Sequence, residues 1–280
     1  MNNIRLKIAI ALIAGLAFAA NANAVTRTVD CDKGQTIQSA IGKGQGSAEQ
    51  LVINVSGLCE GDVLIRRDDV TINGNNSATI SGTISLQAVN RITIERITVT
   101  GPGYAIAASG SNNVALNYVI ATGNQGWVAI FAVSNSSLNI NNSNISSNVQ
   151  GGIFAGLSSS LVTGGNTVIN NNPGMGVHVT IGSSAFIEDG TTIQGNEFGI
   201  FVDKHSIVDL ENADVSNNTN IGIVISRDSA ATLRTGNTVA GNANSGVSCN
   251  DTESSYSNDG VQVADNVYCT GFDQVAPEPE

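Results

Sequence analysis

A short apolar segment recurs about every 23 residues over most of the chain, and this repeat constrains the fold more than any other feature. The segment returns at nearly constant intervals from residue 105 onward. Its copies read AIAA (105–108), AIFA (129–132), GIFA (152–155), GVHV (176–179), GIFV (199–202), GIVI (222–225) and GVSC (246–249). A repeat of this length is typical of a solenoid, in which each repeat is one structural unit stacked on its neighbours.

Each repeat contains three short stretches in which apolar or threonine positions alternate with polar ones. The second inward position follows the first at a fixed interval, as from Val179 to Ile187 and from Val202 to Leu210. A third follows shortly afterwards in most repeats, and Gly, Asn, Ser and Asp fill the positions between the stretches. This alternation between turn-forming residues predicts three short β-strands per repeat and no helix.

An asparagine follows the third inward position in most repeats. Stacking brings equivalent residues into register, so we expect an internal ladder in which each asparagine hydrogen-bonds a backbone amide of the neighbouring turn. The predicted members are Asn124, Asn148, Asn171, Asn196, Asn218, Asn242 and Asn266.

One repeat alone cannot bury its apolar face, whereas stacked repeats close a continuous core. The sequence therefore predicts an all-β fold, a single-stranded parallel β-helix that spans residues 61–270 with about 23 residues per turn. Residues 25–60 are expected to form an N-terminal cap. Within the cap, Thr36 is a predicted N-cap, and Ile37 and Ile41 lie on one face of a short capping helix that covers the open edge of the first turn.

The two ends of the chain differ from the repeats. Arg5 and Lys7 precede an apolar run, Ile8–Ala20, and Ala22-Asn23-Ala24 matches the pattern that a signal peptidase cleaves. Residues 1–24 are therefore a predicted signal peptide, with cleavage after Ala24 and a secreted, periplasmic or cell-envelope destination. The acidic, proline-containing residues 271–280 are a predicted disordered tail.

Four cysteines in an exported chain indicate disulfides. Three pairings exist for four cysteines. Because Cys31 lies near Cys59 and Cys249 lies near Cys269 in the sequence, one bridge at each end is favoured.

The chain without its predicted signal peptide is strongly acidic. Removal of Arg5 and Lys7 leaves 10 basic residues against 23 acidic ones. Such a surface repels phosphate backbones and anionic lipids, so nucleic acid and membrane are excluded as partners, and the charge counts against a polyanionic substrate.

Specific segments carry a family resemblance. TIQSAI (36–41), then GDVLIRRDDVTINGN (61–75), then turns of GIxV and NxxxN type resemble the pectin-lyase-like right-handed parallel β-helix superfamily. The resemblance implies a right-handed helix over residues 27–270 and a glycan partner along the first parallel sheet. It implies no single activity, because the superfamily includes lyases, hydrolases, epimerases, esterases, tailspikes and non-catalytic surface proteins. The Asn-Thr-Asp, Gly-His-Asp and Arg-Ile-Lys segments of polygalacturonase-like relatives are missing from the sequence.

The middle residue of the recurring segment points away from the core when its neighbours point inward. This outward column reads Ala107, Phe131, Phe154, His178, Phe201, Val224 and Ser248. An exposed apolar column marks a binding surface, whereas stacked phenylalanines also stabilise a sheet on their own. Our hypothesis takes Phe131, Phe154, His178 and Phe201 as substrate-binding residues, with a purely structural column as the alternative.

Charged residues cluster where the first strands of two adjacent repeats end. The candidate catalytic residues are Asp203, Lys204, His205, Arg227 and Asp228. A β-eliminating lyase needs a base, which Lys204, Arg227 or His205 would supply, and a glycoside hydrolase needs two carboxylates, for which Asp203 and Asp228 are the pair to test. The alternative is a solvated corner whose ion pairs contribute little.

The sequence predicts no cofactor, with one alternative. In that alternative Asp203, Asp228 and Asp251 hold a Ca²⁺ ion for a lyase. We interpret the chain as an exported β-helix protein that binds a polysaccharide along its first parallel sheet, with cleavage of that polysaccharide left open. The competing hypothesis is a non-catalytic structural or adhesive module of the cell envelope.

Overall fold

The computed structural model describes residues 24–42, 49–259, 261 and 263–269. The acidic tail and all but the last residue of the predicted signal peptide lie outside the described residues. No helix in the described part of the chain is long and apolar enough to cross a membrane.

The first sheet contains the recurring apolar segments, all in parallel. Strands are numbered in chain order. The first sheet consists of β3 (Val63–Ile65), β5 (Ile84–Gln87), β7 (Ile106–Ser109), β9 (Val128–Val133), β12 (Gly151–Ala155), β15 (Met175–Thr180), β18 (Phe198–Asp203), β21 (Ile221–Ile225), β24 (Ser245–Cys249) and β26 (Val267–Tyr268).

The other strands close each turn on two further sides. The early turns contribute β1 (Val25–Asp30), β2 (Leu51–Glu60), β4 (Val70–Ser81), β6 (Asn90–Thr100) and β8 (Asn112–Thr122). The last three of these are long strands that bend from the second side to the third. The second side continues with β10 (Ser137–Asn141), β13 (Ser160–Gly164), β16 (Ser184–Ile187), β19 (Ile207–Leu210), β22 (Ala230–Leu233) and β25 (Ser255–Asn258). The third side continues with β11 (Asn144–Ser146), β14 (Val168–Asn170), β17 (Thr192–Gln194), β20 (Asp214–Ser216) and β23 (Thr238–Ala240).

The predicted β-helix is confirmed. Its turns, each of about 23 residues, stack around one apolar core. The described first sheet contributes ten strands to the stack. The predicted second inward positions lie in register: Leu116, Ile140, Thr163, Ile187, Leu210 and Leu233 face one another in succession, and all are fully buried.

The predicted capping helix is also present, as α1 (Ile37–Gly42). Thr36 Oγ1 accepts a hydrogen bond from the Ser39 N–H at 3.1 Å, as expected of an N-cap, and Ile37 and Ile41 are buried. The Gln38 amide accepts from the Leu64 N–H at 2.7 Å and donates to the Leu64 carbonyl at 3.2 Å. Gln38 thus satisfies the free edge of β3, which would otherwise invite another strand.

The region assigned to the cap also contains strands of the stack. β1 pairs in parallel with β2, and β2 pairs with β4. Stacking therefore begins before residue 61, and the boundary at residue 60 stays a prediction.

Both disulfides join the predicted cysteines. Cys31 bonds Cys59, and Cys249 bonds Cys269, one near each end of the described chain. Two structural disulfides fit an extracellular or periplasmic environment, because reducing compartments keep thiols free.

An asparagine ladder runs through the core at the corner before the first sheet. Each side-chain oxygen accepts the backbone N–H of the ladder asparagine in the preceding turn at 3.1 Å, as from Asn148 to Asn172 and from Asn172 to Asn196. The Asn172 Nδ2 also donates to the Ile145 carbonyl at 3.1 Å. The observed members are Asn124, Asn148, Asn172, Asn196, Asn218 and Asn242.

Two of the predicted ladder members are wrong. Asn171 is exposed at a left-handed corner (φ 54°), because Ile169 rather than Val168 is the inward residue of that turn. At the far end Asp265, not Asn266, completes the ladder, since its carboxylate accepts the Asn242 N–H at 2.8 Å.

A second ladder, of serines, lines the corner after the first sheet and was not predicted. From Ser136 onward each hydroxyl accepts the backbone N–H of the equivalent serine in the preceding turn at 3.1–3.4 Å, and the Ser111 hydroxyl accepts that of Val89 at 3.4 Å. The members are Ser111, Ser136, Ser159, Ser183, Ser206, Ser229 and Ser254. All are buried, so the ladder satisfies backbone groups that no strand pairs.

The glycine that opens most of the recurring segments is a steric requirement. A Cβ on Gly152, Gly176, Gly199 or Gly222 would lie 2.4–2.7 Å from a carbonyl oxygen of the next turn. Real Cβ atoms do not approach backbone oxygens so closely. The asparagine ladder therefore packs against bare backbone at this corner.

We expect Asn172→Ala to lower the free energy of unfolding by about 2–4 kcal/mol. The Asn148 N–H and the Ile145 carbonyl would lose their partner inside the core, and each unpaired buried group costs about 1–3 kcal/mol. Urea denaturation followed by circular dichroism measures the loss. The matched control is Asn171→Gly, where glycine suits the left-handed backbone and a change within about 0.5 kcal/mol is expected. Equal losses in the two variants would contradict the assignment of Asn172 to the ladder.

Candidate functional site

The predicted outward column stands in register on the outside of the first sheet. Each residue faces the next across neighbouring strands: Ala107, Phe131, Phe154, His178, Phe201, Val224 and Ser248. The four residues of the binding hypothesis are therefore contiguous.

The rings of this column cover one another. Phe131 stacks on Tyr104 with ring centroids 5.1 Å apart and on Phe154 with centroids 5.2 Å apart, with nearly parallel planes in both pairs. His178 contacts Phe154 and Phe201 edge-on at 5.2 and 5.4 Å. Phe154 is only 9% exposed. Phe131 therefore offers its edge rather than a free ring face to a ligand.

Trp127 provides the exposed aromatic surface of this site. It directly precedes β9, is 39% exposed, and packs edge-on against Phe154 at 4.7 Å and Phe131 at 6.0 Å. Its Nε1–H donates to the Tyr104 hydroxyl at 3.0 Å. Gly151 lies beside it in the next turn, where a Cβ would sit 3.1 Å from the Trp127 carbonyl oxygen.

Trp127 and Tyr104 are functional candidates that the sequence analysis missed. Tyr104 stands directly before its recurring segment and Trp127 two residues before the next one, whereas only the middle residue of each segment was assigned outward. Two segments of the sequence could have indicated these residues: GPGY (101–104) and NQGW (124–127). Each ends on an aromatic residue, and the two are separated by the length of one repeat.

A second outward column widens the apolar surface beside the first. Met175, Phe198 and Ile221 face one another in register three positions before the first column. The Phe198 ring contacts Phe201 edge-on at 6.1 Å. We call the two columns together with Tyr104 and Trp127 the aromatic floor.

Polar side chains border the aromatic floor on both edges. Gln150 and Asn244 directly precede β12 and β24, and both are exposed. Ser134, Asn135 and Ser158 follow β9 and β12 and are also exposed. The floor is thus an apolar strip whose borders carry hydroxyl and amide groups, together with the exposed side chains of Leu157 and Ile181 on one edge.

Asp203 is the centre of a buried polar group at one end of the floor. Its carboxylate accepts a hydrogen bond from the Arg227 guanidinium at 2.9 Å and lies 3.2 Å from His178 Nε2. The Asp203 side chain is 5% exposed, whereas that of Arg227 is 62% exposed. Both carboxylate oxygens of Asp203 therefore have partners.

His178 is held as a neutral ring. Burial, more than any other influence, lowers the pKa of His178, and the bond to Asp203 opposes this effect only in part. The contact with a carboxylate assigns the proton to Nε2. Nδ1 is buried and has no hydrogen-bond partner.

The remaining catalytic candidates form a separate, exposed group. His205 Nε2 lies 3.5 Å from Asp228, and their side chains are 76% and 62% exposed. Lys204 forms no ion pair with any described residue. Lys204, His205, Arg227 and Asp228 all have left-handed backbones, so they form the two-residue corners of successive turns.

The carboxylates of the calcium alternative have different partners. Asp251 accepts the backbone N–H groups of Arg227 and Ser254. A hydrogen bond from the Ser254 side chain, more than these backbone bonds, holds the pKa of Asp251 below its ordinary value. Among residues 24–42, 49–259, 261 and 263–269, no group of three or more His, Cys, Asp or Glu side chains could hold a metal ion. The calcium site stays a prediction.

Comparisons with known proteins bear on the fold. The family described as "Right handed beta helix region" matches residues 43–188 and 128–271. The A-module of the Azotobacter vinelandii mannuronan C-5 epimerase AlgE6 is similar at a TM-score of 0.50 and 15% identity, over 90% of this chain and 89% of that one. The AlgE4 A-module of the same organism gives 0.46 at 16% identity, over 77% of each chain. The catalytic domain of a GH87 alpha-1,3-glucanase gives 0.27 at 12% identity, over 85% of this chain and 68% of that one.

No curated protein matches the sequence significantly. The predicted resemblance to right-handed parallel β-helix proteins is confirmed at the level of the fold, without a specific catalytic family.

We expect His178 to make the protein less stable as the pH falls. Below about pH 6.5 the unfolded chain binds a proton at His178, whereas the folded chain, in which the pKa of His178 is lowered, stays neutral. The free energy of unfolding therefore falls by up to about 1.4 kcal/mol per pH unit until the pH passes the pKa of the folded state. Above about pH 6.5 both states are neutral and this contribution is constant. Urea denaturation between about pH 8 and about pH 5 measures the slope.

The His178→Phe variant should lose this component of the pH dependence. The control His205→Gln leaves the buried ring unchanged and should keep it. An identical pH profile for the wild type and His178→Phe would contradict the neutral, buried imidazole.

Proposed function

The chain belongs to the right-handed β-helix family, and we propose that it binds a polysaccharide on the aromatic floor of its first sheet. The proposal depends above all on Trp127, an indole that is 39% exposed on an otherwise closely packed aromatic surface. Sequence identities of 12–16% to the similar structures are too low to show a shared function. The support for polysaccharide binding therefore comes from the surface of this chain.

Trp127 is suited to stack against a sugar ring. An indole offers a broad apolar face together with a polar N–H group, and such side chains are typical of surfaces that contact amphipathic ligands. The hydrogen bond to Tyr104 and the edge contacts with Phe131 and Phe154 fix its orientation before a ligand arrives. A fixed platform costs less conformational entropy on binding than a mobile one.

The composition of the surrounding surface supports the same ligand class. Ligand sites combine an apolar surface with a few placed polar groups. Here the floor would contact the C–H faces of the sugars, and Gln150 and Asn244 on one edge and Ser134, Asn135 and Ser158 on the other would bind hydroxyl groups. The chain of sugars would then lie along the axis of the β-helix and cross successive turns.

The four residues of the binding hypothesis take different roles in this proposal. Phe131 and Phe154 stack on each other, so their faces are not available to a ligand. Their role is to support Trp127, which packs edge-on against the stack. His178 and Phe201, packed edge-on against each other, extend the floor beyond Trp127.

We propose binding without cleavage. Asp203 would act as an acid, a base or a metal ligand only after losing its bonds to Arg227 and His178. The candidate catalytic residues that remain are Lys204, His205, Arg227 and Asp228. Apart from the ion pair between Arg227 and Asp203, the charges at their two corners are exposed. In this proposal the β-helix is a rigid exported support for a glycan contact, and the two disulfides are consistent with export after removal of residues 1–24.

Polysaccharide binding should be visible in the fluorescence of Trp127. It is the only tryptophan in the chain, so every change in indole emission reports this position. We expect titration with a bound polysaccharide to shift or quench the emission, and Trp127→Ala to weaken binding about ten-fold or more, equivalent to about 1.4 kcal/mol. Affinity electrophoresis measures binding of the variant, which has no indole signal.

Tyr118→Ala is the matched control, because Tyr118 is an aromatic residue that is 49% exposed in β8, away from the first sheet. Its binding should equal that of the wild type. If no polysaccharide in a broad panel binds, the non-catalytic structural or adhesive alternative without a glycan contact is supported instead.

Prolonged incubation with each bound polysaccharide should leave it intact. The assays are reducing-end release for hydrolysis and ultraviolet absorbance for the unsaturated product of elimination, with and without Ca²⁺. Product formation that Asp203→Asn abolishes, while Tyr118→Ala preserves it, would contradict binding without cleavage.

A further inference from the structure

The part of the aromatic floor around Trp127 lies in an uncharged stretch of the chain. No Asp, Glu, Lys or Arg occurs between Ile97 and Ile187. Four consecutive strands of the first sheet, β7, β9, β12 and β15, belong to this stretch. The surface that would contact a ligand there is built only from apolar, aromatic, hydroxyl and amide groups.

The charged groups beside Phe201 and Val224 include more acidic than basic side chains. Asp203 is neutralised by Arg227 at 2.9 Å, and His178 is neutral because burial lowers its pKa. Lys204 lies exposed at the end of β18, and Glu197 lies exposed directly before the start of the same strand. Asp228 is exposed at the following corner, so acidic groups outnumber basic ones here, three to two.

The part of the chain that follows the uncharged stretch repels polyanions. From Glu188 to the C-terminus the sequence has 15 acidic residues against three basic ones. Of these three, Arg227 is paired with Asp203 and Arg234 with Asp209. Lys204 is thus the one cation of this region without an ion-pair partner among the described residues. The summed field of this region is therefore negative and disfavours a polymer with a carboxylate on every sugar.

Hydroxyl and amide groups on the two edges fit an uncharged ligand. Serine hydroxyls and the amides of Gln150, Asn135 and Asn244 both donate and accept hydrogen bonds, as sugar hydroxyls do. We propose that the polysaccharide bound on the aromatic floor is a neutral one, and that acidic polysaccharides are rejected. This inference rests on the proposed function and specifies its substrate class.

A pair of polymers with the same backbone tests the inference directly. The probes are an acidic polyuronate and the same polymer with its carboxyl groups reduced to alcohols, titrated against the full-length mature protein while the emission of Trp127 is followed. We expect the reduced polymer to bind at least about ten-fold more tightly than its acidic parent. Any residual affinity for the parent should rise with salt, because salt screens the repulsion.

A charge variant makes the test independent of the backbone chosen. Gln150→Lys places a cation beside Trp127, and we expect it to raise the affinity for the acidic polymer while the affinity for the reduced polymer changes little. Asn139→Lys is the matched control, since it changes the net charge equally at an exposed position in β10 on the second side, and it should leave both affinities as they are.

The outcomes separate the two proposals. Tighter binding of the acidic parent, with an affinity that falls as salt rises, overturns the inference and leaves glycan binding intact. Absence of any Trp127 response to either polymer, or to neutral polysaccharides of other backbones, overturns the proposed function and the inference together.

Discussion

Hydrogen bonds between equivalent residues of successive turns fix this structure. Strand pairing satisfies the backbone within the sheets, but the corners leave buried N–H groups that no strand reaches. The asparagine ladder satisfies them before the first sheet and the serine ladder after it. Because each side chain bonds the same residue of the neighbouring turn, the ladders permit one register only. A slip by one residue would reverse the inside and outside of a strand.

This fixed register explains why the outer surface of the first sheet has columns of like residues. Positions equivalent in the repeat lie about 4.8 Å apart along the axis, so side chains of one column necessarily touch. Phe131 and Phe154, which are equivalent in adjacent turns, have ring centroids 5.2 Å apart, which is nearly this spacing. The close stacking of turns also requires the glycines beside the asparagine ladder, since a methyl group there would collide with the next turn.

Spacing in the sequence was sufficient for four features. The repeat period predicted the fold and the outward column, the i, i+4 spacing of Ile37 and Ile41 predicted the capping helix, and the proximity of the cysteines predicted the disulfides. Asn171 was mistaken for Asn172 because the spacing between the second and third inward positions varies from repeat to repeat, and both residues are asparagine. The serine ladder follows the same period as the recurring segment and was available, but a lone polar residue between strands also suits an ordinary turn. The burial of Asp203 and its pairing depend on side-chain conformations, which no periodicity encodes.

Trp127 lies outside the column for a physical reason. Within the column Phe131 and Phe154 pack face to face, and a ring stacked in this way has no free face for a ligand. Trp127 escapes this limit, because it precedes its strand and its neighbours in the adjacent turns are Gly103 and Gln150 rather than further aromatic rings. Trp127 can therefore fold over the edges of Phe131 and Phe154 and keep part of its indole exposed. On a solenoid of this kind, an aromatic platform is expected directly before a strand, beside the column, where the adjacent turns carry no aromatic ring.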